Sequence, residues 1–124
     1  MTKVSELMTR GVRAMSPRDS VAAAARMMDE FKLAVVPVCD DGTLVGLVTD
    51  RDITVRAVAR GLPPLTTPLG FLMSTAPLWC YEDQSIDEVQ RTMKHCPLHR
   101  LPVIDRERRL VGMLSLGAAP VDES

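Results

Sequence analysis

The sequence predicts an α+β fold made of two β-α-β-β-α repeats. One observation is an internal repeat, which places equivalent residues 65 or 66 positions apart. The other is that each copy shows apolar residues at helical spacing, followed by two short apolar runs typical of strands. Because hydrophobic residues make up 46% and charged residues 25% of the 124 residues, the composition is that of a folded globular protein.

The repeat sets the domain organisation. LMT at residues 7–9 aligns with LMS at residues 72–74, and LVG at residues 44–46 aligns with LVG at residues 110–112. The sequence GLPPLTTP between the two copies is typical of a linker. We therefore predict a first repeat at residues 1–61, a linker at 62–70, a second repeat at 71–119 and a tail at 120–124.

In the first copy, a short strand near residues 13–15 is predicted to precede a helix capped by Ser20. The apolar face of this helix comprises Val21, Ala24, Ala25, Met28 and Phe31. Residues 34–39 and 44–49 predict an antiparallel hairpin, because only a short polar turn connects them. A further helix is expected from about Asp50 to Arg60, ended by Gly61.

The second copy has the same order of elements. A short strand near residues 78–80 precedes a helix that begins with a capping box, Ser85 to Glu88. Its predicted buried stripe comprises Ile86, Val89, Met93 and Cys96. Residues 101–104 and 110–116 predict the second hairpin. In each copy a proline, Pro37 or Pro102, lies inside a strand, which indicates a sheet edge or a bulge.

Composition and charge exclude several classes of protein. The net charge is −1 and the only basic cluster is RERR at residues 106–109, so nucleic acid is not expected as a partner. No apolar run reaches the roughly 20 residues that span a bilayer, and the N-terminus has no stretch of signal-peptide length, so we expect a cytoplasmic protein without a membrane partner. Three cysteines without a C-x-x-C pair argue against a disulfide framework or a cysteine-rich zinc site.

Four sequence stretches resemble a known family. GLVTDRDI at residues 46–53 matches the G-h-h-T-x-x-D signature of CBS domains, named after cystathionine β-synthase. VSELMT at residues 4–9, VPV at 36–38 and HRLPVID at 99–105 support the resemblance, which extends from about Val4 to Ala118. The resemblance implies a tandem CBS domain pair with pseudo-two-fold symmetry. Its two clefts would bind adenosine compounds such as AMP, ADP, ATP or S-adenosylmethionine. It also implies a homodimer.

Within the signature, Thr49 and Asp52 are the candidate ribose anchor. One carboxylate can accept hydrogen bonds from both vicinal hydroxyls, and the start of the helix offers N–H groups to a phosphate. The alternative is that Asp50 and Asp52 only cap the helix and complement its dipole. The complete signature favours ribose binding.

Three cationic residues are candidates for phosphate contacts. Arg51 is suited to hold a phosphate in a fork geometry, or is simply solvated. In the gamma regulatory subunits of AMP-activated protein kinase, a His-Arg pair at the equivalent motif position contacts phosphates, and the resemblance assigns that role to His99 and Arg100. The alternative for this pair is surface charge beside a strand.

The resemblance also suggests the apolar walls of each cleft. For the site that carries Asp52, these are Ala76, Leu78 and Leu101. A proline interrupts the hydrogen bonds between strands, so we also expect the backbone groups beside Pro37 and Pro102 to bind the edge of the adenine ring. The alternative is that the prolines only protect a sheet edge. The second, weaker cleft would use Val12, Val36 and Ser115, but Ala118 stands where the acid belongs. We therefore expect one good site per chain.

The expected function is a stand-alone regulatory module that binds an adenosine-containing ligand and signals in trans to an unknown effector protein. No catalytic residues and no cofactor are expected. His95 and His99 have the spacing of a helical metal pair, but Pro97 interrupts that helix and the ligand set is incomplete, so no metal is expected and a metal-assisted hydrolase is the weaker reading. The main alternative is a ligand-free dimerisation or protein-interaction module with vestigial clefts.

Overall fold

The computed structural model describes residues 1–75, 79–94 and 100–115 and confirms the α+β fold. The helices are α1 (Val4–Leu7), α2 (Val21–Phe31), α3 (Asp50–Asp52), which continues as a π-helical segment (Ile53–Val58), a 3-10 turn (Leu69–Phe71) and α4 (Ile86–Met93). The strands are β1 (Val35–Asp40), β2 (Thr43–Thr49), β3 (Cys80–Tyr81), β4 (Arg100–Ile104) and β5 (Leu110–Ser115). The chain divides into a central unit (Arg13–Pro77) and a terminal unit (Met1–Val12 with Leu78–Ser124).

The central unit packs α2 against the predicted antiparallel hairpin of β1 and β2. Ser20 caps α2, since its hydroxyl accepts a hydrogen bond from the Ala23 amide at 3.1 Å. Val21, Ala24 and Met28 are buried as predicted. Two members of the predicted apolar face are not: Ala25 is exposed, and Phe31 is 38% exposed, with the Arg13 guanidinium 3.8 Å from its ring centre. Both lie where the helix face turns away from the sheet.

The helix predicted after β2 forms, but its winding changes. After three α-helical residues, hydrogen bonds from each amide reach five residues back, as from the Ala59 amide to the Thr54 carbonyl at 3.0 Å. The Leu62 amide binds the Ala57 carbonyl in the same way, at 2.9 Å. The helix ends at Val58, two residues before the predicted end at Arg60. Gly61, with φ of +69°, lies in the turn that follows, where its amide donates to the Val58 carbonyl at 3.1 Å.

The terminal unit contains a three-stranded sheet in the order β3-β4-β5, with β3 parallel and β5 antiparallel to β4. Ser85 caps α4 by accepting a hydrogen bond from the Glu88 amide at 3.2 Å. Of the predicted capping box, only this half is formed among the described residues. The next amide, that of Ile86, donates to the Thr2 carbonyl at 2.9 Å. Cys80 is buried, which raises the pKa of its thiol to about 12. Cys96 lies outside the described residues.

Both strand prolines sit next to irregular pairing, as predicted. Each hairpin has a register break just after its proline, at Val38/Cys39 and at Val103/Ile104. Pro37 faces a short segment on its outer side, where its carbonyl accepts a hydrogen bond from the Met15 amide at 3.0 Å. The strand predicted near residues 13–15 is thus reduced to an isolated bridge. Pro102 lies in the middle strand of its sheet, just before the residues that pair with β3.

Each hairpin is crossed by a short Leu-Met segment that begins the other sequence repeat. Ser74 exchanges two backbone hydrogen bonds with Leu47 of β2, at 2.8 and 3.1 Å. Thr9 does the same with Met113 of β5, at 2.8 and 3.0 Å. The opening segment of the first repeat therefore packs, in space, within the terminal unit.

Candidate functional site

The junction between β2 and α3 holds the candidate ribose anchor in a reciprocal cap. The Asp52 amide donates to the Thr49 hydroxyl oxygen at 3.0 Å, and the Thr49 amide donates to Asp52 Oδ2 at 2.9 Å. This arrangement forms because Thr49 ends its strand in extended geometry three residues before Asp52. The capping role considered for Asp52 is therefore present, and any binding role is additional to it.

The capped pair keeps hydrogen-bonding capacity for a ligand. An ionised carboxylate offers about four lone-pair positions. The Thr49 amide occupies one position on Oδ2, and the Arg56 Nε atom lies 3.8 Å from Oδ1. The Thr49 hydroxyl accepts one bond and retains a proton to donate. Because the Asp52 side chain is 17% exposed, the carboxylate is sheltered but still reachable from solvent.

The expected free amides at the start of α3 are not present. The Asp50 amide donates to the Ala34 carbonyl at 3.0 Å. The Arg51 amide donates to Asp50 Oδ1 at 2.8 Å, and the Asp52 amide is bound by Thr49. The prediction that these groups are available to a phosphate is wrong, because two side chains at the helix start and the Ala34 carbonyl already accept their hydrogen bonds.

Arg51 is exposed on the first turn of α3. Within the part of the chain that the structure describes, its guanidinium makes no ion pair or side-chain hydrogen bond. The phosphate-binding and solvated readings of Arg51 therefore both stay predictions.

Arg56 belongs to the neighbourhood of the site but was not among the predicted residues. Its Nη1 donates to the Leu72 carbonyl at 3.2 Å, while its Nε faces Asp52. The available signal was the spacing, because residues four apart meet on one helix face. Arg56 also borders a groove of about 380 Å³, whose other lining residues are Arg60, Leu62, Phe71 and Leu72.

Arg100 and Ser115 are brought together at the corresponding end of the second hairpin. They are cross-strand partners, as Val35 and Thr49 are in the first hairpin. Arg100 Nε donates to the Ser115 hydroxyl oxygen at 3.1 Å, and both residues are exposed. The sequence placed them in different clefts, so this contact was not predicted.

The predicted walls have different environments. Leu101 is buried in the core of the terminal unit and Val36 in the core of the central unit, while Val12 is half-buried. Ala76, Leu78 and His99 lie outside the described residues, as does Ala118. The binding roles of all these residues stay predictions.

The described residues contain neither a metal-binding cluster nor a membrane-spanning helix. Among residues 1–75, 79–94 and 100–115, no three His, Cys, Asp or Glu side chains come close enough to hold a metal ion. The candidate ligands His95, Cys96 and His99 lie outside those ranges. The same ranges contain no helix with the length and apolar character needed to cross a membrane.

Comparison with known proteins finds one matching family model and relatives that align with most of this chain. The family model for the CBS domain matches residues 4–58 and 69–118. The CBS domain-containing protein YhcV of Bacillus subtilis is 32% identical, over 99% of this chain and 86% of its own length. Hypoxic response protein 1 of Mycobacterium tuberculosis is 35% identical, over 93% of this chain and 80% of its own length.

The solved structures that share this fold include the following three. Hypoxic response protein I, solved with two coordinated zinc ions, has a TM-score of 0.83 at 34% identity and covers 92% of both chains. CBSX2 in complex with AMP has a TM-score of 0.82 at 27% identity, covering 94% of this chain and 91% of its own. The CBS domain pair of protein MJ0100, in complex with 5-methylthioadenosine and S-adenosyl-L-methionine, has a TM-score of 0.80 at 25% identity, covering 93% and 90%.

Proposed function

Because this chain belongs to the CBS domain family, as its motifs predicted, we propose that it is a regulatory module that binds an adenosine-containing ligand. The module acts by binding and not by catalysis. Ligand binding shifts the packing of the two repeats or of two subunits in a cytoplasmic homodimer, and an effector protein senses that shift in trans. The ligand class comprises AMP, ADP, ATP and S-adenosylmethionine.

The observation that carries this proposal is the Thr49–Asp52 pair. The reciprocal cap holds the carboxylate in a defined position, and the carboxylate retains acceptor positions for the two hydroxyls of a ribose. AMP, 5-methylthioadenosine and S-adenosylmethionine, which are bound by two structural relatives, all contain adenosine. A ribose anchor is the recognition element that these ligands have in common.

The phosphate of a nucleotide requires a different contact. Because the first amides of α3 are already bonded, side-chain cations must neutralise the phosphate. Arg51 is the exposed cation nearest in sequence to the anchor, and His99 and Arg100 remain the predicted pair from the second repeat. Arg51→Ala is expected to weaken AMP binding while leaving 5-methylthioadenosine, which has no phosphate, unaffected.

The test is calorimetric titration of the wild-type protein and Asp52→Ala with AMP, ATP, S-adenosylmethionine and GTP. We expect adenosine compounds to bind with about one site per chain, and Asp52→Ala to weaken them at least tenfold, since a charge-assisted hydrogen bond contributes about 1.5–3 kcal/mol. A ligand at a hundredfold excess over its Kd should also stabilise the protein by about 2.7 kcal/mol.

Two control variants separate binding from capping. Asp52→Asn keeps an oxygen that can accept from the Thr49 amide but removes the charge, and should lose affinity with little loss of stability. Asp50→Ala removes a neighbouring acid on the same turn and should leave the affinity for S-adenosylmethionine, which has no phosphate, near the wild-type value. Nucleotides are not used with this variant, because it frees the Arg51 amide. Wild-type affinity in Asp52→Ala would show that the ribose anchor is misassigned.

A protein-interaction module with vestigial clefts is the second candidate. It is favoured by the second repeat, where Arg100 binds the Ser115 hydroxyl and Ala118 replaces the acid. A ligand panel without any binding, on protein confirmed to be ligand-free, would support it. Zinc analysis of the same sample tests the weaker metal reading, which the zinc ions of hypoxic response protein I make worth measuring.

A further inference from the structure

We propose that Arg56 is a positioning residue, which holds the Asp52 carboxylate in its ligand-binding orientation by tying it to the backbone at Leu72. This inference rests on the proposed ribose-binding role of Asp52. Arg56 itself is not expected to touch the ligand. It acts on the orientation of the group that does.

The two carboxylate oxygens of Asp52 have different neighbours, and one of them faces Arg56. Oδ2 accepts from the Thr49 amide at 2.9 Å, whereas Oδ1 faces the Arg56 Nε atom at 3.8 Å. A carboxylate held only through Oδ2 can still swing about that bond. A cation on the Oδ1 side restricts this motion, because it attracts that oxygen towards one fixed position.

Arg56 is itself held in place by a rigid part of the chain. Its Nη1 donates to the Leu72 carbonyl at 3.2 Å. Leu72 is buried, and Ser74 just beyond it is fixed to Leu47 by two backbone hydrogen bonds. The guanidinium is planar and carries five donors, so one side chain can contact the carbonyl and the carboxylate at once. A lysine has a single charged nitrogen and would have to choose between them.

The chain provides a matched control one helical turn later. Arg60 is exposed and lines the same groove as Arg56. Within the described residues it makes no ion pair, whereas Arg56 faces Asp52. Arg60→Ala therefore removes the same charge from the same surface without changing the environment of the carboxylate. An effect confined to Arg56→Ala is an effect of contact and not of net charge.

The first arm of the experiment needs no ligand. Amide hydrogen exchange is followed by NMR at Thr49, whose N–H is bound by Asp52 Oδ2. In Arg56→Ala we expect Thr49 to exchange about five times faster, because the carboxylate spends more time away from the amide. Arg60→Ala should exchange like the wild type. Unchanged exchange at Thr49 in Arg56→Ala would overturn the positioning role, whatever the ligand proves to be.

The second arm is a double-mutant cycle on AMP affinity. Arg56→Ala should weaken AMP binding about tenfold, which lies within the range of coupling energies between two residues in contact, here Arg56 and Asp52. The affinity of Arg56→Lys should lie between this variant and the wild type. Asp52→Ala combined with Arg56→Ala should bind no worse than Asp52→Ala alone, because Arg56 acts through Asp52. Additive losses would mean that Arg56 contacts the ligand directly, which contradicts the inference.

The two proposals fail in different ways. If Asp52→Ala weakens AMP but Arg56→Ala does not, only the positioning role is wrong. If the wild type binds none of the adenosine compounds, the proposed function is wrong, and if Asp52→Ala binds them normally, the ribose anchor is misassigned. In both cases the Thr49 exchange rate still decides whether Arg56 holds the carboxylate. Should Arg56→Ala fail to fold by circular dichroism, Arg56→Lys carries both measurements.

Discussion

The two hairpins of this protein are built alike along their strands and differ at their ends. Each has a register break after its proline and a glycine under a crossing Leu-Met segment. At the end that follows the second strand, Thr49 bonds along the chain to Asp52, whereas Ser115 is bonded across the strands by Arg100. The features that repeat are those that packing requires, and this difference lies at the strand end where we propose that the ligand binds.

The two hairpins also differ at the end that carries the turn between their strands. In the central unit a single hydrogen bond of 3.3 Å joins Arg18 to Asp40. In the terminal unit two bonds, at 2.8 and 3.1 Å, join Asp83 to Arg106. Each pair links the turn before the main helix to the turn of the hairpin, but the acid and the base have exchanged sides. Both units therefore have an ion pair at this place, but the position that carries the acid differs between them.

The largest expected difference between the hairpins concerns the leucine of the shared LVG motif. Leu44 is 1% exposed, whereas its counterpart Leu110 is only half-buried. Leu44→Ala should lower the free energy of unfolding by about 2–5 kcal/mol, and Leu110→Ala by less than half as much. Urea titration measures both, with the exposed Leu65 changed to alanine as the control. Equal losses would mean that the two hairpins are packed equally after all.

A smaller effect, the same in both hairpins, is expected at the glycines. A Cβ on Gly46 would lie 2.8 Å from the Ser74 carbonyl oxygen, and one on Gly112 would lie 2.7 Å from the Thr9 carbonyl oxygen. Because backbone atoms cannot move aside easily, Gly46→Ala and Gly112→Ala should each cost about 1–3 kcal/mol of stability.

Gly70→Ala is the matched control for both glycines, since its nearest neighbour would be an ordinary 3.4 Å from the new Cβ. Urea titration of the three variants gives the comparison. A wild-type stability in either Gly46→Ala or Gly112→Ala would show that the crossing segment on that hairpin is not held closely.

The smallest expected effect is at the exposed ion pairs, because solvent screens them. The hydrogen bond from Arg106 lowers the pKa of Asp83 below its usual 3.8. The unfolded chain therefore binds this proton more readily, so the stabilisation is present above the ordinary pKa and is lost as the pH falls through the lowered one. Arg106→Ala should lower Tm slightly at pH 7, and the difference should shrink as the pH falls below the ordinary pKa of 3.8 and through the lowered one.

Arg18→Ala is the comparison for that measurement. Its pair has one hydrogen bond, whereas Arg106 makes two and also stacks on Tyr81, 3.9 Å from the ring centre. The Tm loss at pH 7 should therefore be smaller in Arg18→Ala. A Tm difference for Arg106→Ala that persists unchanged at low pH would assign its effect to the stacking contact and not to Asp83.

Most of the secondary structure was predictable because its causes are local. Ser20 and Ser85 cap helices three residues from the amides they bind, and the hairpin strands alternate with short polar turns. The change to π-helical winding after Asp52 and the exposure of Ala25 were not predictable. Both depend on how a helix meets its neighbours, which the helical spacing of apolar residues does not specify.

The candidate site was predictable to the same extent. The spacing of Thr49 and Asp52 places them together wherever a strand is followed directly by a helix. The cap could therefore be predicted from the sequence, and the same pair is the proposed ribose anchor. The contact of Arg56 with the Leu72 carbonyl joins residues 16 positions apart and has no local signal. The bonded amides at the start of α3 were missed because the side chains of Thr49 and Asp50, and a carbonyl beyond the helix, compete for them.

The sequence by itself determined the two copies, their hairpins, their caps and the Thr49–Asp52 pair, because each of these depends on residues a few positions apart. Only the tertiary structure decided which Leu-Met segment crosses which hairpin, since residues 7–9 and 72–74 are nearly identical and either hairpin offers a glycine beneath them. It likewise decided that Arg56 meets the Leu72 carbonyl, and that Arg100 meets Ser115. Such contacts follow from the packing of distant segments, which no local pattern encodes.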